Sequence, residues 1–333
     1  MLTLTAPSTA ARFGYRFTVA GGAAGGIASS LFLRVEQTKV ASEKTVSSYA
    51  LLLDCGGLAV PAAAVDEGGT LDVLVSHVHA DHCSGVPALA AARHLLGGRT
   101  RFLVGAEEAA LDKLRQMIRL SEELNEPTGA LRYLASVHAL GTGSSVVGVG
   151  GPAGRSIVPF PTVHRITSTG FCVVQQRKKL RQELLQDVDG APLSKAAVGK
   201  RVREMRELRA PTEAMFDTEE DVEIAYTGDT TIAWLSAPGA EQALRARLLV
   251  TEATFLCDRV SPEQAAERGH THLSQIIAQA DRFEHVGQIV LTHFSRRYNA
   301  KQVQAILAER LPTQLLEKTH ALLLDEYHRE GCS

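Results

Sequence analysis

Short apolar runs alternate along this chain with longer stretches of helical period. Runs at 16–20, 30–35, 49–54, 71–76, 101–104, 170–174, 222–227, 248–252 and 288–292 predict strands, because each is short and bounded by turn-forming or polar residues. Periodic stretches predict helices at 86–96, 106–119, 239–245, 273–283 and 300–310. The first three strands lie close together, parted by turn-like segments such as Gly21-Gly22 and Gly25-Gly26. Later strands are spaced by helices. A strand cluster followed by βα units predicts layered α/β architecture rather than a pure parallel sheet. There is no tandem repeat, yet two βα-rich halves would fit an internal duplication.

The polar stretches divide by character. Residues 36–48 carry mixed charge and predict an exposed loop between strands. Residues 141–154 are rich in glycine and predict turns around a short strand. Gly148, Gly150 and Gly151 do not make a nucleotide loop, since no strand-then-helix frame surrounds them. Residues 175–216 have helical composition, many charges and little apolar period, which predicts a poorly buried excursion. Strand-like sequence begins by Tyr15, so the residues before it are expected to form a short disordered terminus. The acid-poor start, with Arg12, Arg16 and Arg34 ahead of the first acid at Glu36, is shared with transit peptides but leaves little room for a leader.

Composition narrows the class. The chain has 333 residues, is 45% hydrophobic and carries a formal net charge of −2, enough for a large core. We expect one domain over 1–333, because large α/β folds exceed the usual domain length. No run approaches the roughly 18 apolar residues that span a bilayer, so no membrane partner is expected. Cys55, Cys83, Cys172, Cys257 and Cys332 are scattered and form no C-x-x-C pair, which predicts reduced thiols inside a cell. Between Gln175 and Arg209 there are ten Lys or Arg against five Asp or Glu. That local excess suits either a phosphate backbone or a solvated charged helix.

The densest chemistry is His77-Val78-His79-Ala80-Asp81-His82, directly after the apolar run 71–76. His77 and His79 are two apart and share one side of extended chain. Asp81 and His82 follow where the strand must turn and can face a second ion. Imidazole nitrogen and carboxylate oxygen both suit zinc. A structural zinc site would tend to close with cysteines; this cluster has none, which leaves room for water. Cys83 fits a small buried residue at a helix start. Further candidates end other strands: His164 after the short run 157–160, Asp229 in Gly228-Asp229-Thr230, and His293 after 288–292. Alone, each would fit a surface histidine or a capping aspartate. Together they lie at the carboxyl ends of predicted strands, where open α/β sheets place their sites.

With these residues the chain resembles the metallo-β-lactamase superfamily, and within it the tRNase Z family, most closely the short plant-type form. The carrying segments are 76–82, 162–171, 225–231, 251–255, 269–274 and 292–298, and the match runs over roughly 15–310. The metal motif is superfamily-wide. Glu252-Ala253-Thr254, Gly269-His270-Thr271-His272 and His293-Phe294-Ser295 with Arg297-Tyr298 point to tRNase Z. The resemblance implies a four-layer αβ/βα sandwich and two zinc ions per chain, with manganese as an alternative. His77, His79 and His164 would hold one ion, Asp81, His82 and His293 the other, and Asp229 would bridge. Two ions about 3.5–4 Å apart can stabilise both attacking and leaving oxygens.

The implied activity is endonucleolytic removal of the 3′ trailer from precursor tRNA, leaving a 3′-hydroxyl. Asp81 would orient or deprotonate the attacking water. His270 would protonate the leaving group, taken as the 5′ oxygen of the trailer, with Glu252 holding its imidazole. Arg297 is either a phosphate contact or a buried pairing; His272 either touches RNA or is structural. The excursion near 175–215, with Arg177, Lys178 and Lys179, sits where the family carries its tRNA-gripping arm. The family pairs as homodimers; the compartment implied is cytoplasm, with nucleus or organelle as alternatives. The chain departs from many relatives in having Thr251 where they have histidine, and it lacks the longer N-terminal substrate loop. The competing expectations are another hydrolase of this fold, acting on a small phosphodiester or thioester, and a non-catalytic RNA-binding or scaffold protein built on a decayed enzyme.

Overall fold

The computed structural model describes residues 1–7, 13–57, 60–148, 154–187 and 189–324. Seven strands make a first sheet in sequence order: β1 (Leu2–Pro7), β2 (Phe13–Ala24), β3 (Ala28–Lys39), β4 (Thr45–Leu53), β5 (Thr70–Val75), β6 (Arg99–Val104) and β7 (Ala135–Ala139). β1 to β4 pair antiparallel and β4 to β7 pair parallel. A second sheet of seven contains β8 (Val146–Val147), β9 (Arg155–Thr162), β10 (Ser168–Leu180), β11 (Phe216–Tyr226), β12 (Leu248–Glu252), β13 (Gln288–Thr292) and β14 (Thr319–Ala321), again in order. Here β8 and β9 pair antiparallel, and β11 to β14 pair parallel. The same antiparallel-then-parallel plan in both sheets agrees with two equivalent halves.

Period-2 alternation assigns each strand's side chains to two different cores. Leu31, Leu33, Leu51, Leu53 and Leu74 meet Leu248, Val250 and Val290 between the sheets. Their sequence neighbours Phe32, Leu52, Val73 and Val75 face outward, under the helices Val86–Leu95 and Glu108–Asn125. On the second sheet Leu249, Ile289 and Leu291 pack outward against Trp234, Ile276 and Val303. The result is four layers, helix, sheet, sheet and helix, and this is the metallo-β-lactamase architecture expected above.

Several sequence expectations are corrected. Residues 2–7 form a paired strand with Leu4 and Ala6 buried, not a disordered terminus. Residues 36–48 are largely strand: β3 runs to Lys39 and β4 starts at Thr45, so the loop is only 40–44. Backbone pairing, which does not depend on apolar side chains, extends these strands past their hydrophobic part. The first long helix reaches Asn125, and the one after His272 gives way to a 3₁₀ turn at Ala280–Phe283. Cys55, Cys83, Cys172 and Cys257 are free thiols. Cys332, Gly150 and Gly151 lie outside the described residues.

The chain forms a main unit (1–174 and 222–333) and a small one, Gln175–Asp221, which takes in the excursion expected near 175–215. The small unit contains the helices Gln182–Leu185, Lys195–Glu207 and Thr212–Met215, and no residue of Lys195–Glu207 is buried. Ser194 caps that helix by accepting from the Ala197 amide. The unit is not an open row of cations. Counting on to Asp221, ten acids match its ten bases. Arg177 pairs with Asp221 at 3.1 Å, Lys179 lies 4.0 Å from Glu219, and Arg181 lies 3.7 Å from Asp217.

Candidate metal centre

All seven sequence-predicted ligands gather at the carboxyl ends of β5, β9, β11 and β13. After β5 the chain stays extended through His79 and then turns one short helix, Ala80–Cys83, which carries Asp81 and His82. Nitrogens of His77, His79 and His164 converge: His77 Nε2 is 3.0 Å and His164 Nε2 is 3.3 Å from His79 Nδ1. Tetrahedral ligands about 2.0–2.1 Å from one zinc stand about 3.3 Å from each other, so this spacing is that of a ligand set. Asp81, His82 and His293 form the second group, with all ligand atoms within 4.8 Å. Asp229 belongs between the groups. Its Oδ2 is 3.2 Å from both His82 Nε2 and His293 Nε2, and it groups equally with His77 and with His164.

Whether a cation fits is answered by two buried atoms. His82 Nε2 and His293 Nε2 are buried and make no well-formed hydrogen bond, each facing Asp229 Oδ2 at 3.2 Å. Buried orphan nitrogens are costly, and a divalent cation would satisfy both. The opposite nitrogen of each ring is already committed. His82 Nδ1 donates to Asp54 at 2.6 Å, His164 Nδ1 donates to the Gly269 carbonyl at 2.8 Å, and His293 Nδ1 lies 3.0 Å from Thr254 Oγ1. Such contacts fix tautomer and ring orientation for metal binding. His77 Nδ1 lies 3.0 Å from Ser76 Oγ.

Charges respond to this crowding. Burial, together with the facing His82, lowers the His77 imidazole to about 2, so it stays neutral and ligand-competent. Burial opposes ionisation of Asp81, but His293 and His82 outweigh it and hold the carboxyl at about 2. For His82 burial acts downward, while the carboxylates of Asp229 and Asp54 raise it well above its usual range. A site that concentrates protons between carboxylates in this way is one where a cation can replace them.

Backbone geometry aims the ligands. Asp54 and His293 hold left-handed conformations, φ 57° and 60°, which non-glycine residues seldom adopt. Gly228 brings Asp229 in: its φ is +61°, and a Cβ there would meet Ser76 Cβ at 2.4 Å.

Glu252 and His270 stand beside the cluster. Glu252 is 1% exposed. Its Oε1 accepts from His270 Nδ1 at 3.0 Å and from the Thr230 amide at 2.7 Å. Its Oε2 accepts from Thr254 Oγ1 at 2.5 Å, the hydroxyl that meets His293. One buried carboxylate thus orients both a ligand and a second histidine. Burial works against protonating His270, but Glu252 outweighs it and raises the imidazole to about 9. His270 also lies within ligand distance of the acids, but its Nδ1 is taken by Glu252.

Other sequence candidates fall elsewhere. His272 is fully buried and accepts from the Ser274 amide as the N-cap of the helix Leu273–Ala278, which favours the structural one of its two expected roles. Arg297 is exposed beside His270, its Nε 3.1 Å from Ser295 Oγ, with no ion pair among the described residues. Arg177, Lys178 and Lys179 belong to the small unit. Asp54 was missed. It ends the apolar run 50–53 at a strand's carboxyl end, the same position as the ligands. A cavity of 660 Å³ around Asp72 and Arg101 lies at the amino ends of β5 to β7, away from this chemistry.

No protein-family model matches the chain. A chloroplastic tRNase Z of Arabidopsis thaliana is 30% identical over 234 residues, covering 70% of this chain and 59% of the relative. The chain therefore spans less than two thirds of that protein. A second Arabidopsis tRNase Z is 28% identical over 250 residues, 75% of this chain and 81% of the relative. Among solved structures, YhfI of Bacillus subtilis, titled a metallo-β-lactamase fold protein, superposes with TM-score 0.52 at 14% identity, covering 93% of this chain and 96% of its own. The short form of human tRNase Z gives TM-score 0.51 at 20% identity, covering 85% and 93%. By fold the chain is a metallo-β-lactamase-type protein, and over about 70% of its length its sequence is similar to tRNase Z proteins.

Proposed function

We propose that this protein is a metal-dependent endoribonuclease that removes the 3′ trailer from precursor tRNA and leaves a 3′-hydroxyl. The observation that carries the reading is the Glu252–His270 pair set against the ligand cluster. It adds a proton donor to a site able to hold cations, and a sugar alkoxide is a leaving group that needs one. Two divalent ions, zinc first and manganese as the alternative, would be held by His77, His79 and His164, by Asp81, His82 and His293, and by Asp229 between them. When bound, they would supply Lewis acidity and neutralise charge at the phosphate.

This chain's own groups do the rest. Asp81, ionised at neutral pH, orients the attacking water and accepts its proton. The water oxygen bonds to phosphorus as the bond from phosphorus to the 3′ oxygen of the tRNA body breaks. That oxygen takes a proton from His270, whose cationic form Glu252 stabilises. The products are a 3′-hydroxyl on the tRNA and a 5′-phosphate on the trailer. The expectation that the trailer's 5′ oxygen leaves does not balance with a 3′-hydroxyl product, and is replaced.

The small unit 175–221 is the proposed grip on the tRNA body, acting as a homodimer's arm. No helix among the described residues is long and apolar enough to cross a membrane. Cytoplasm is the first compartment to test, and an organelle the second. The deciding experiment is incubation of zinc- or manganese-loaded protein with precursor tRNA bearing a 3′ trailer. Release of an intact trailer with a 5′-phosphate supports the reading. Hydrolysis of small phosphodiesters or thioesters alone, with precursor tRNA untouched, would replace it with the other hydrolase.

A further inference from the structure

Bordering the metal cluster, and sharing His270 and Thr254 with it, lies a cavity of 290 Å³ whose arginines the metal centre does not use. Phe255 is its floor, 4% exposed. Two guanidinium groups rest on that ring: Arg268 at 5.6 Å and Arg297 at 5.5 Å from its centroid. Cation–π contact holds each in place without neutralising it. Arg165, exposed, closes the rim beside Gly269. Among the described residues none of these three arginines pairs with a carboxylate, unlike Arg101, Arg155 and Arg177 elsewhere. The opposite wall is the glycine hairpin tip at Gly25-Gly26, which presents backbone but no side chain. Three unneutralised cations around a cavity open to solvent select a polyanion, and the fork of arginine matches phosphate oxygens.

The direction of the chain follows from His270. Its ring lies 5.3 Å from that of His293 in the metal cluster and 6.2 Å from that of Phe255 in the cavity, so His270 borders both. The metal centre takes the scissile phosphate. His270 serves the oxygen that leaves, which belongs to the last nucleotide of the tRNA body. The nucleotide carrying that oxygen must therefore extend past His270 toward Phe255.

The geometry points to a subsite for the last nucleotide of the tRNA body, in which Arg268 and Arg297, held on Phe255, grip the phosphate on that nucleotide's 5′ side. This rests on the endoribonuclease reading above and specifies its substrate register. Arg268 and Arg297 bind substrate; Phe255 positions them.

The test is a cycle between one phosphate and the two arginines. Precursor tRNA is prepared with a single uncharged methylphosphonate replacing the phosphate 5′ of the last tRNA-body nucleotide. Wild type should lose about 10-fold or more in kcat/KM on this substrate, since charged hydrogen bonds are removed. The double variant Arg268→Ala/Arg297→Ala should lose a comparable factor on unmodified precursor and little more on the methylphosphonate. Metal content, measured in the same samples, should be unchanged. Equal loss in variant and wild type, or a wild type indifferent to the replacement, overturns the subsite while leaving trailer removal standing. A wild type that does not cut unmodified precursor overturns the endoribonuclease reading and the subsite with it.

Discussion

Asp54 accepts the Nδ1 proton of His82 at 2.6 Å, with both side chains fully buried. The same carboxylate accepts from the Ser76 amide at 2.7 Å, from Ser76 Oγ at 3.1 Å and from the Tyr226 hydroxyl. It ties Ser76, just past the end of β5, to the ring of His82. Asp54→Ala should weaken binding at the His82 site about 10- to 100-fold, the usual cost of losing such a partner. Competition with a chromophoric chelator measures it; unchanged affinity would show that His82 orients itself.

Glu252 should control when His270 holds its proton. A raised pKa keeps His270 protonated, and able to donate, up to higher pH; donation is lost as pH rises through that value. Glu252→Gln removes the negative charge, so the alkaline fall in kcat should move to lower pH. The rate plateau should drop by about 100-fold or more. A pH–rate profile on precursor tRNA decides it, and an unmoved alkaline limb would contradict the pairing.

His272 should matter for folding and not for RNA. It caps the helix Leu273–Ala278, with Gln275 completing the capping box. His272→Ala should cost about 0.5–2 kcal/mol in urea unfolding, and His272→Asn, which can still cap, should cost less. The KM of the Asn variant for precursor tRNA should equal that of wild type.

Between the sheets Arg155 and Glu223 pair at 2.8 Å, at 1% and 0% exposure, with Tyr15 and Tyr49 donating to the same carboxylate. Arg155→Met should destabilise by about 3–5 kcal/mol, because Glu223 is left charged and buried. Adding Glu223→Gln should recover part of that loss in denaturant titration.

These residues also show what a sequence can disclose. The clustered candidate ligands were legible because each follows an apolar run, and strand ends are where side chains converge at a sheet edge. The same rule would have found Asp54, but a lone acid after Ala50–Leu53 has no neighbouring histidine to announce it. β1 was hidden because its alternation is six residues long and its partner, β2, lies across residues 8–12. Strand past Glu36 was hidden because polar side chains there are held by backbone pairing. The small unit looked basic until its return strand supplied the matching acids. Arg268 and Arg297 gave no sign of acting together, since only the position of Phe255 joins them.

The most direct test of the two-ion centre is to titrate metal-free protein with zinc, counting bound metal by atomic emission and measuring trailer release in the same tubes. Two ions per chain, with cleavage of precursor tRNA appearing as the second site fills, is the result predicted. Full cleavage with one ion or none, or two bound ions with no cleavage of precursor tRNA, would contradict it.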